Sequence, residues 1–256
     1  MKRMLLITAV ILSGFCLNAQ NQKIKVLTYN IHHGENTRQE LDLKGIANVI
    51  LATNPDLVAL QEVDSVTGRS KGADQLKELA AITGMYTYFV KATDFDGGGY
   101  GTGVLSRFPI QNNITLPLPS GKDSEPRAAG IVTVQLPGDS VIHFVTTHFD
   151  AGKRSNDRIA QANTLANYFK TAQTPVIFCG DLNAPPASKE IKILKQVFTD
   201  ATHQVGPTFP SDTPKVKLDY IFLAPKARWN AGEAKVIEET VASDHRPVIC
   251  EVELVK

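Results

Sequence analysis

At 256 residues, with 43% hydrophobic and 21% charged side chains, the chain is long enough for a domain with a full apolar core, and its composition excludes a disordered, collagenous or disulfide-stapled protein. Its 27 Lys and Arg against 26 Asp and Glu give a formal charge of +1, which argues against gripping long nucleic acid through overall charge, although a local basic groove remains compatible. No internal repeat or low-complexity tract interrupts it.

The first nineteen residues read as a segment apart. Lys2 and Arg3 lead into an apolar run from Met4 to Leu12, and the small residue Ala19 closes it, which is the pattern of a secretory leader. The run falls short of the roughly 20 residues that span a bilayer. Phe15 before Cys16 is too large for the usual lipidation site, so a cleaved leader (1–19) and a single domain over 20–256, released into the periplasm or beyond, is expected rather than a lipoprotein. Cleavage would remove two bases and no acid, which takes the charge from +1 to −1, and would leave Cys179 and Cys250 as the remaining thiols. Each sits inside an apolar run and reads as a buried free cysteine.

Strand-like runs follow in order: Ile24–Tyr29, Asp56–Leu60, Tyr86–Val90, Thr102–Leu105, Ala128–Leu136, Val141–Thr147, Pro175–Cys179, Tyr220–Leu223 and Pro247–Leu254. Between some of them lie helical patterns, carried by Leu43, Ile46, Ala47 and Ile50, then Leu76, Leu79 and Ala80, then Ile159, Ala162, Leu165, Ala166 and Phe169. These helices are apolar on one face, whereas strands such as Val176–Cys179 are nearly continuous in apolar residues and read as buried on both faces. Two face-to-face sheets with helices outside satisfy both patterns, so an α/β layered sandwich is predicted. Turn-rich stretches at 94–101, 116–126 and 206–214 read as surface loops. The first, with four glycines and Tyr100, is a candidate for backbone approach to a phosphate.

The polar residues at strand ends carry the chemistry. Asn30, Glu62 and His148 follow strand runs, and Asp181 follows one after a single glycine. Asp219 and the Asp244-His245 pair precede the last two runs. If those two strands run antiparallel to the other four, all of these side chains meet at one edge of the sandwich. Taken singly, each has an ordinary reading as a turn former, a surface charge or a satisfied core histidine. Requiring every ordinary reading at once, each at a strand terminus, is the weaker account.

The segments Leu-Thr-Tyr-Asn-Ile (27–31), Val-Ala-Leu-Gln-Glu-Val (58–63), Gly-Val-Leu-Ser-Arg-Phe-Pro-Ile (103–110), Thr-Thr-His (146–148), Gly-Asp-Leu-Asn (180–183), Leu-Asp-Tyr-Ile-Phe (218–222) and Ser-Asp-His-Arg-Pro-Val (243–248) resemble, in order and spacing, the endonuclease/exonuclease/phosphatase family. The resemblance implies a four-layer α/β/β/α sandwich of two mixed sheets flanked by helices, acting on a phosphoester with Mg²⁺ or Mn²⁺. On that footing Asn30, Glu62 and Asp244 supply the oxygen ligands that a hard cation accepts. His245 held by Asp219, or Asp181 with Asn183, serves the attacking water, and both options stand. His148 is the general acid or a donor to the phosphate, with Asp94, Asp96 or Glu125 as its conceivable partner. Arg127 and Tyr100 are candidate substrate contacts, with a structural salt bridge an equal reading for Arg127, while Arg69 and Lys71 either add charge near the mouth or, the better reading, belong to an ordinary solvated loop.

Substrate class is thinly encoded. A charge of −1 after cleavage, a single Trp and the lack of a dense Lys/Arg pocket order the substrates as a small exposed phosphodiester or lipid headgroup, then nucleic acid as for a secreted nuclease, then a phosphomonoester. A monomer is expected. The competing class is a non-catalytic binding module that keeps the fold. A serine hydrolase has no Gly-x-Ser-x-Gly elbow to rest on.

Overall fold

A computed structural model describes residues 21–255, so the expected leader lies outside the described residues. The first half of the chain runs β1 (Gln22–Asn30), α1 (Leu43–Thr53), β2 (Leu57–Ser65), α2 (Gln75–Thr83), β3 (Tyr86–Phe95) and β4 (Gly98–Ser106). The second runs β5 (Ile110–Leu118), β6 (Arg127–Gln135), β7 (Val141–His148), α3 (Asn156–Phe169), β8 (Val176–Asp181), α4 (Lys189–Leu194), β9 (Thr199–Asp200) and β10 (Asp219–Ala224). β11 (Trp229–Val236) and β12 (Val248–Leu254) then return to the first sheet. The strand orders are β11-β12-β1-β2-β4-β3 and β5-β6-β7-β8-β10-β9.

Period-two alternation with both faces apolar explains the layering. Val26, Ala59, Val104, Phe144, Ile177 and Val252 fill the space between the sheets. Their chain neighbours point outward: Leu27, Val58 and Leu60 pack under α1 and α2, and Val145, Phe178 and Phe222 under α3 and α4. Each large side chain removed from water in this way contributes about 1.5–3 kcal/mol. The helices begin and end where local chemistry dictates. Asp42 caps α1 by accepting from the Gly45 N–H at 2.8 Å, and Asn54 ends it in the left-handed region at φ 52°.

The directions on which the sequence reading turned are now fixed. β1 and β2 are parallel, as are β7 and β8, while β12 is antiparallel to β1 and β10 to β8. The ends of β1, β2, β7 and β8 and the starts of β10 and β12 therefore share one rim. Cys179 and Cys250 are buried between the sheets and free.

Three expectations are corrected here. Residues 94–101 form no surface loop: β3 and β4 are a hairpin that turns only at Asp96-Gly97. Gly101 there has a structural reason, since a Cβ would lie 2.0 Å from the Val90 carbonyl oxygen, so close strand packing and not a phosphate accounts for it. The stretch 116–126 is in part strand, because β5 runs through Leu118. β5, β11, β9 and α4 carried too little apolar alternation to be read from sequence.

Candidate active site

A single carboxylate oxygen organises the rim. Asp181 ends β8 almost fully buried, and its Oδ2 has three nitrogens around it: Asn30 Nδ2 donates at 3.0 Å, His245 Nε2 lies at 3.5 Å and His148 Nε2 at 3.6 Å. Its other oxygen, Oδ1, accepts from the Asn183 N–H at 2.9 Å. These partners come from both sheets, so the carboxylate also ties the two layers together. Burial pushes the Asp181 carboxyl up, and the neighbouring Asp219 charge adds to this, with His245 and the bonds from Asn183 and Asn30 opposing.

On the far side of His245, Nδ1 lies 3.0 Å from Asp219 Oδ2. Burial alone would depress this imidazole, but the two flanking aspartates outweigh it and hold its pKa above the ordinary range. Asp181, Asp219 and His245 each bring one ligand atom within 4.8 Å of the others, close enough to share a cation.

His148 is the opposite case. Arg127 Nη1 lies 2.9 Å from His148 Nδ1, and because a guanidinium only donates, Nδ1 is the acceptor and Nε2 of the neutral ring carries the hydrogen. Burial, reinforced by Arg127 and then His245, lowers the His148 pKa well below its usual value. The ring is thus neutral with its hydrogen on Nε2, which lies 3.0 Å from the Asn183 side-chain amide and 3.6 Å from Asp181 Oδ2. Arg127 also pairs with Glu125 Oε1 at 3.0 Å, so the carboxylate expected beside His148 stands one residue removed, with the guanidinium between. Asp94 pairs instead with Lys91, and Asp96 accepts from the Arg69 N–H.

Glu62 reaches the rim through a backbone irregularity. Gln61 pairs with Thr102 and Val63 with Gly101, which leaves Glu62 as an extra residue in β2 with φ 56°. Such a β-bulge re-aims one side chain, and the left-handed conformation costs about 1–3 kcal/mol at a residue with a Cβ. The re-aimed carboxylate is half-buried, and its Oε1 accepts from Asn30 Nδ2 at 2.9 Å. Asn30 thereby spans Glu62 and Asp181 with its amide nitrogen, while its carbonyl oxygen accepts from the His32 N–H at 3.0 Å.

Half-buried Asp244 lies beside this pair. Ser243 Oγ donates to the Asn30 backbone carbonyl at 2.7 Å and lies 3.4 Å from Asp244 Oδ1. The structure thus gathers Asn30, Glu62, His148, Asp181, Asn183, Asp219, Asp244 and His245 at one end of the sandwich.

Arg127 and Tyr100 are buried, which places them behind the site rather than in open solvent. Burial raises the Tyr100 hydroxyl, with the Glu62 charge adding to it and Arg127 opposing. Arg69 is no solvated loop residue: it holds buried Asp64 with two bonds of 2.7 and 2.8 Å and stacks 4.4 Å above the Phe95 ring. The sequence reading missed this clamp and the role of Ser243. Neither residue type carries a signal without a neighbour in space.

Comparison with known proteins agrees with the geometry. The sequence model described as Endonuclease/Exonuclease/phosphatase family matches residues 27–245. The Uncharacterized protein YbhP of Escherichia coli (strain K12) is 28% identical over 259 residues, covering 92% of this chain and 98% of that one. Among solved structures, an endonuclease/exonuclease/phosphatase from Beutenbergia cavernae superposes with a TM-score of 0.78 at 24% identity, covering 91% of this chain and 72% of its own. The mannosyl-6-phosphatase Bt3783 of Bacteroides thetaiotaomicron does so with 0.73 at 19%, covering 90% and 99%. With an apolar core of the same architecture and one matching span that runs from β1 to the histidine before β12, the chain belongs to the endonuclease/exonuclease/phosphatase family.

Proposed function

We propose that the chain is an exported, divalent-metal-dependent phosphodiester hydrolase that drives in-line attack by water. The observation that carries this reading is the convergence on Asp181 Oδ2 of Asn30, His148 and His245, with Glu62 one hydrogen bond away. A buried carboxylate ringed by nitrogens, next to a second carboxylate that is only half-buried, separates a proton-handling group from a cation-binding one.

The donor set on the exposed side of the rim fits a hard cation. Glu62 has a second carboxylate oxygen beyond the one bonded to Asn30, and Asp244 adds another carboxylate, so these two would hold Mg²⁺ or Mn²⁺. Asn30, whose side-chain nitrogen faces Glu62 and Asp181, is a positioning residue in this scheme. The cation, when bound, neutralises charge on the phosphoryl oxygens and the leaving oxygen. The Asp181-Asp219-His245 group is a poorer metal site, because its histidine already serves as the counter-charge between two aspartates.

Water is oriented by Asp181, positioned in turn by Asn183, and Asp181 takes its proton as the new oxygen–phosphorus bond forms. His245, held by Asp219, stabilises the charge beside it. His148 donates from Nε2 to a phosphoryl oxygen, and Arg127 keeps the ring in the tautomer that can do so. The ester oxygen–phosphorus bond breaks and the alkoxide departs, taking a proton from solvent. A diester is favoured over a monoester by charge: Arg127, the one guanidinium buried at the rim among the described residues, is already paired with Glu125, which leaves little to balance a dianion.

The test is hydrolysis of bis(p-nitrophenyl) phosphate and of p-nitrophenyl phosphate with Mg²⁺ or Mn²⁺, with and without EDTA. Diester turnover abolished by EDTA and exceeding monoester turnover is expected. Metal-independent turnover would reject the mechanism, and faster monoester cleavage would reject the substrate class. Export is tested by N-terminal sequencing of the protein from the extracytoplasmic fraction, with cleavage expected after Ala19.

A further inference from the structure

Two residues beyond Asn30, the chain folds into a feature that the proposed chemistry does not use. His32, His33 and Glu35, all half-buried, each bring one potential ligand atom to within 4.8 Å of the others. Their placement is rigidly specified. His32 and His33 both adopt the left-handed region, at φ 45° and 43°, and the turn is pinned from three sides. The His32 N–H donates to Asn30 Oδ1 at 3.0 Å, Gln75 Nε2 donates to the His33 carbonyl at 2.5 Å, and Glu35 bridges to Leu41.

The hydrogen bonds also leave ligand atoms uncommitted. His32 Nδ1 lies 3.3 Å from the Glu35 carbonyl oxygen. A carbonyl only accepts, so the ring hydrogen belongs on Nδ1 and the lone pair on Nε2. An imidazole whose other nitrogen donates to a backbone carbonyl is the usual arrangement of a metal-ligating histidine. On His33, Nδ1 is buried without a hydrogen-bond partner, and Nε2 lies 3.9 Å from Glu35 Oε2.

We infer that His32, His33 and Glu35 form a second metal site, for a zinc-like transition-metal ion, on the same rim as the catalytic carboxylates. Two imidazoles and one carboxylate are the donor set of borderline-soft ions, in contrast to the all-oxygen set at Glu62 and Asp244 that suits Mg²⁺. Ligand bonds of about 2.0–2.2 Å space tetrahedral ligands about 3.4 Å apart, a spacing that the trio reaches by rotating half-exposed side chains. Three protein ligands leave a fourth position open to water or to an anionic group. The ion held by the trio adds positive charge to an acidic rim. The inference is independent of the catalytic assignment, because it concerns binding alone.

The experiment uses the untagged chain, stripped of metal and dialysed. Zn²⁺ binding is measured by competition with a chromogenic chelator, and Co²⁺ substitution by visible d–d absorption. One tight Zn²⁺ equivalent and an intense Co²⁺ spectrum are expected for the wild type. Both His33→Ala and the milder Glu35→Gln should weaken that equivalent by about 100-fold or more, with circular dichroism and the thermal transition used to confirm that each variant is folded. Asp219→Asn should bind as the wild type does. Wild type that takes up no Zn²⁺, variants at 33 and 35 that keep full stoichiometry, or a site lost in Asp219→Asn and kept in Glu35→Gln would each overturn the assignment.

Discussion

The two sheets are built on the same plan and do different work. In each, a parallel pair joined through a helix sits between antiparallel neighbours: β1 and β2 between β12 and β4, and β7 and β8 between β6 and β10. The parallel pair of the first ends in Asn30 and carries Glu62, and that of the second ends in His148 and Asp181. Position in the fold is equivalent, yet the first carboxylate is half-exposed on a bulge and the second is closed in by three nitrogens. Burial decides the chemistry. A half-exposed carboxylate can exchange water for a cation, whereas one taken out of water becomes a stronger base.

If the second half handles the proton, Asp181→Asn gives the largest loss. The substitution keeps shape but removes both the base and the counter-charge of His245, and kcat for bis(p-nitrophenyl) phosphate should fall by about 10⁴-fold, the upper end for an acid–base group. Extra Mg²⁺ should not restore it. A loss below tenfold would move the base elsewhere.

If the first half holds the cation, Glu62→Gln behaves differently. It should lower kcat/KM by about 10³-fold at moderate Mg²⁺ and shift the half-saturating Mg²⁺ concentration upward by about 10–100-fold, so that excess metal recovers part of the activity. The contrast in metal rescue, read by titrating both variants, is the measurement that separates the halves. Equal rescue of the two would erase the distinction.

Much of this division was legible in the sequence, because strand termini are where period-two apolar runs give way to polar residues. Asn30, His148, Asp181 and Asp219 lie at the very ends of strands, and their gathering follows once strand direction is known. Glu62 was legible as a rim residue but not as a bulge, since no turn residue marks the left-handed position and β2 continues to Ser65 beyond it. The pairing of Arg127 with His148 was illegible because both ordinary uses of an arginine, substrate contact and salt bridge, fit the same letters. His32, His33 and Glu35 were overlooked for a related reason: adjacent histidines point apart in regular structure, and only the left-handed pair brings them together with Glu35.

The smallest expected effect concerns a cation that the second half buries near Asp200 and Asp219. Lys217 Nζ donates to the Thr202 carbonyl and hydroxyl oxygens, both at 2.9 Å, lies 3.7 Å from Asp200 Oδ1 and sits 3.9 Å over the Tyr220 ring. Burial pulls its pKa down to about 8 despite the nearby Asp200 and Asp219 charges. Between about 8 and the unfolded value near 10.4, the unfolded chain binds a proton that the folded one has released, so this group makes stability rise with pH, by up to about 1.4 kcal/mol per unit. His245 acts in the opposite sense, because its raised pKa gives stability that is full below its unfolded value and lost as pH rises through the folded one. The net slope of the wild type therefore identifies neither group. The difference between wild type and Lys217→Met does, since the His245 contribution is common to both. Urea unfolding at pH 7 should give a constant offset from the two lost bonds to Thr202, and by pH 10 the wild type should have gained on the variant. A difference that stays flat from pH 7 to 10 would mean that the ammonium keeps its proton inside the fold, held there by Asp200.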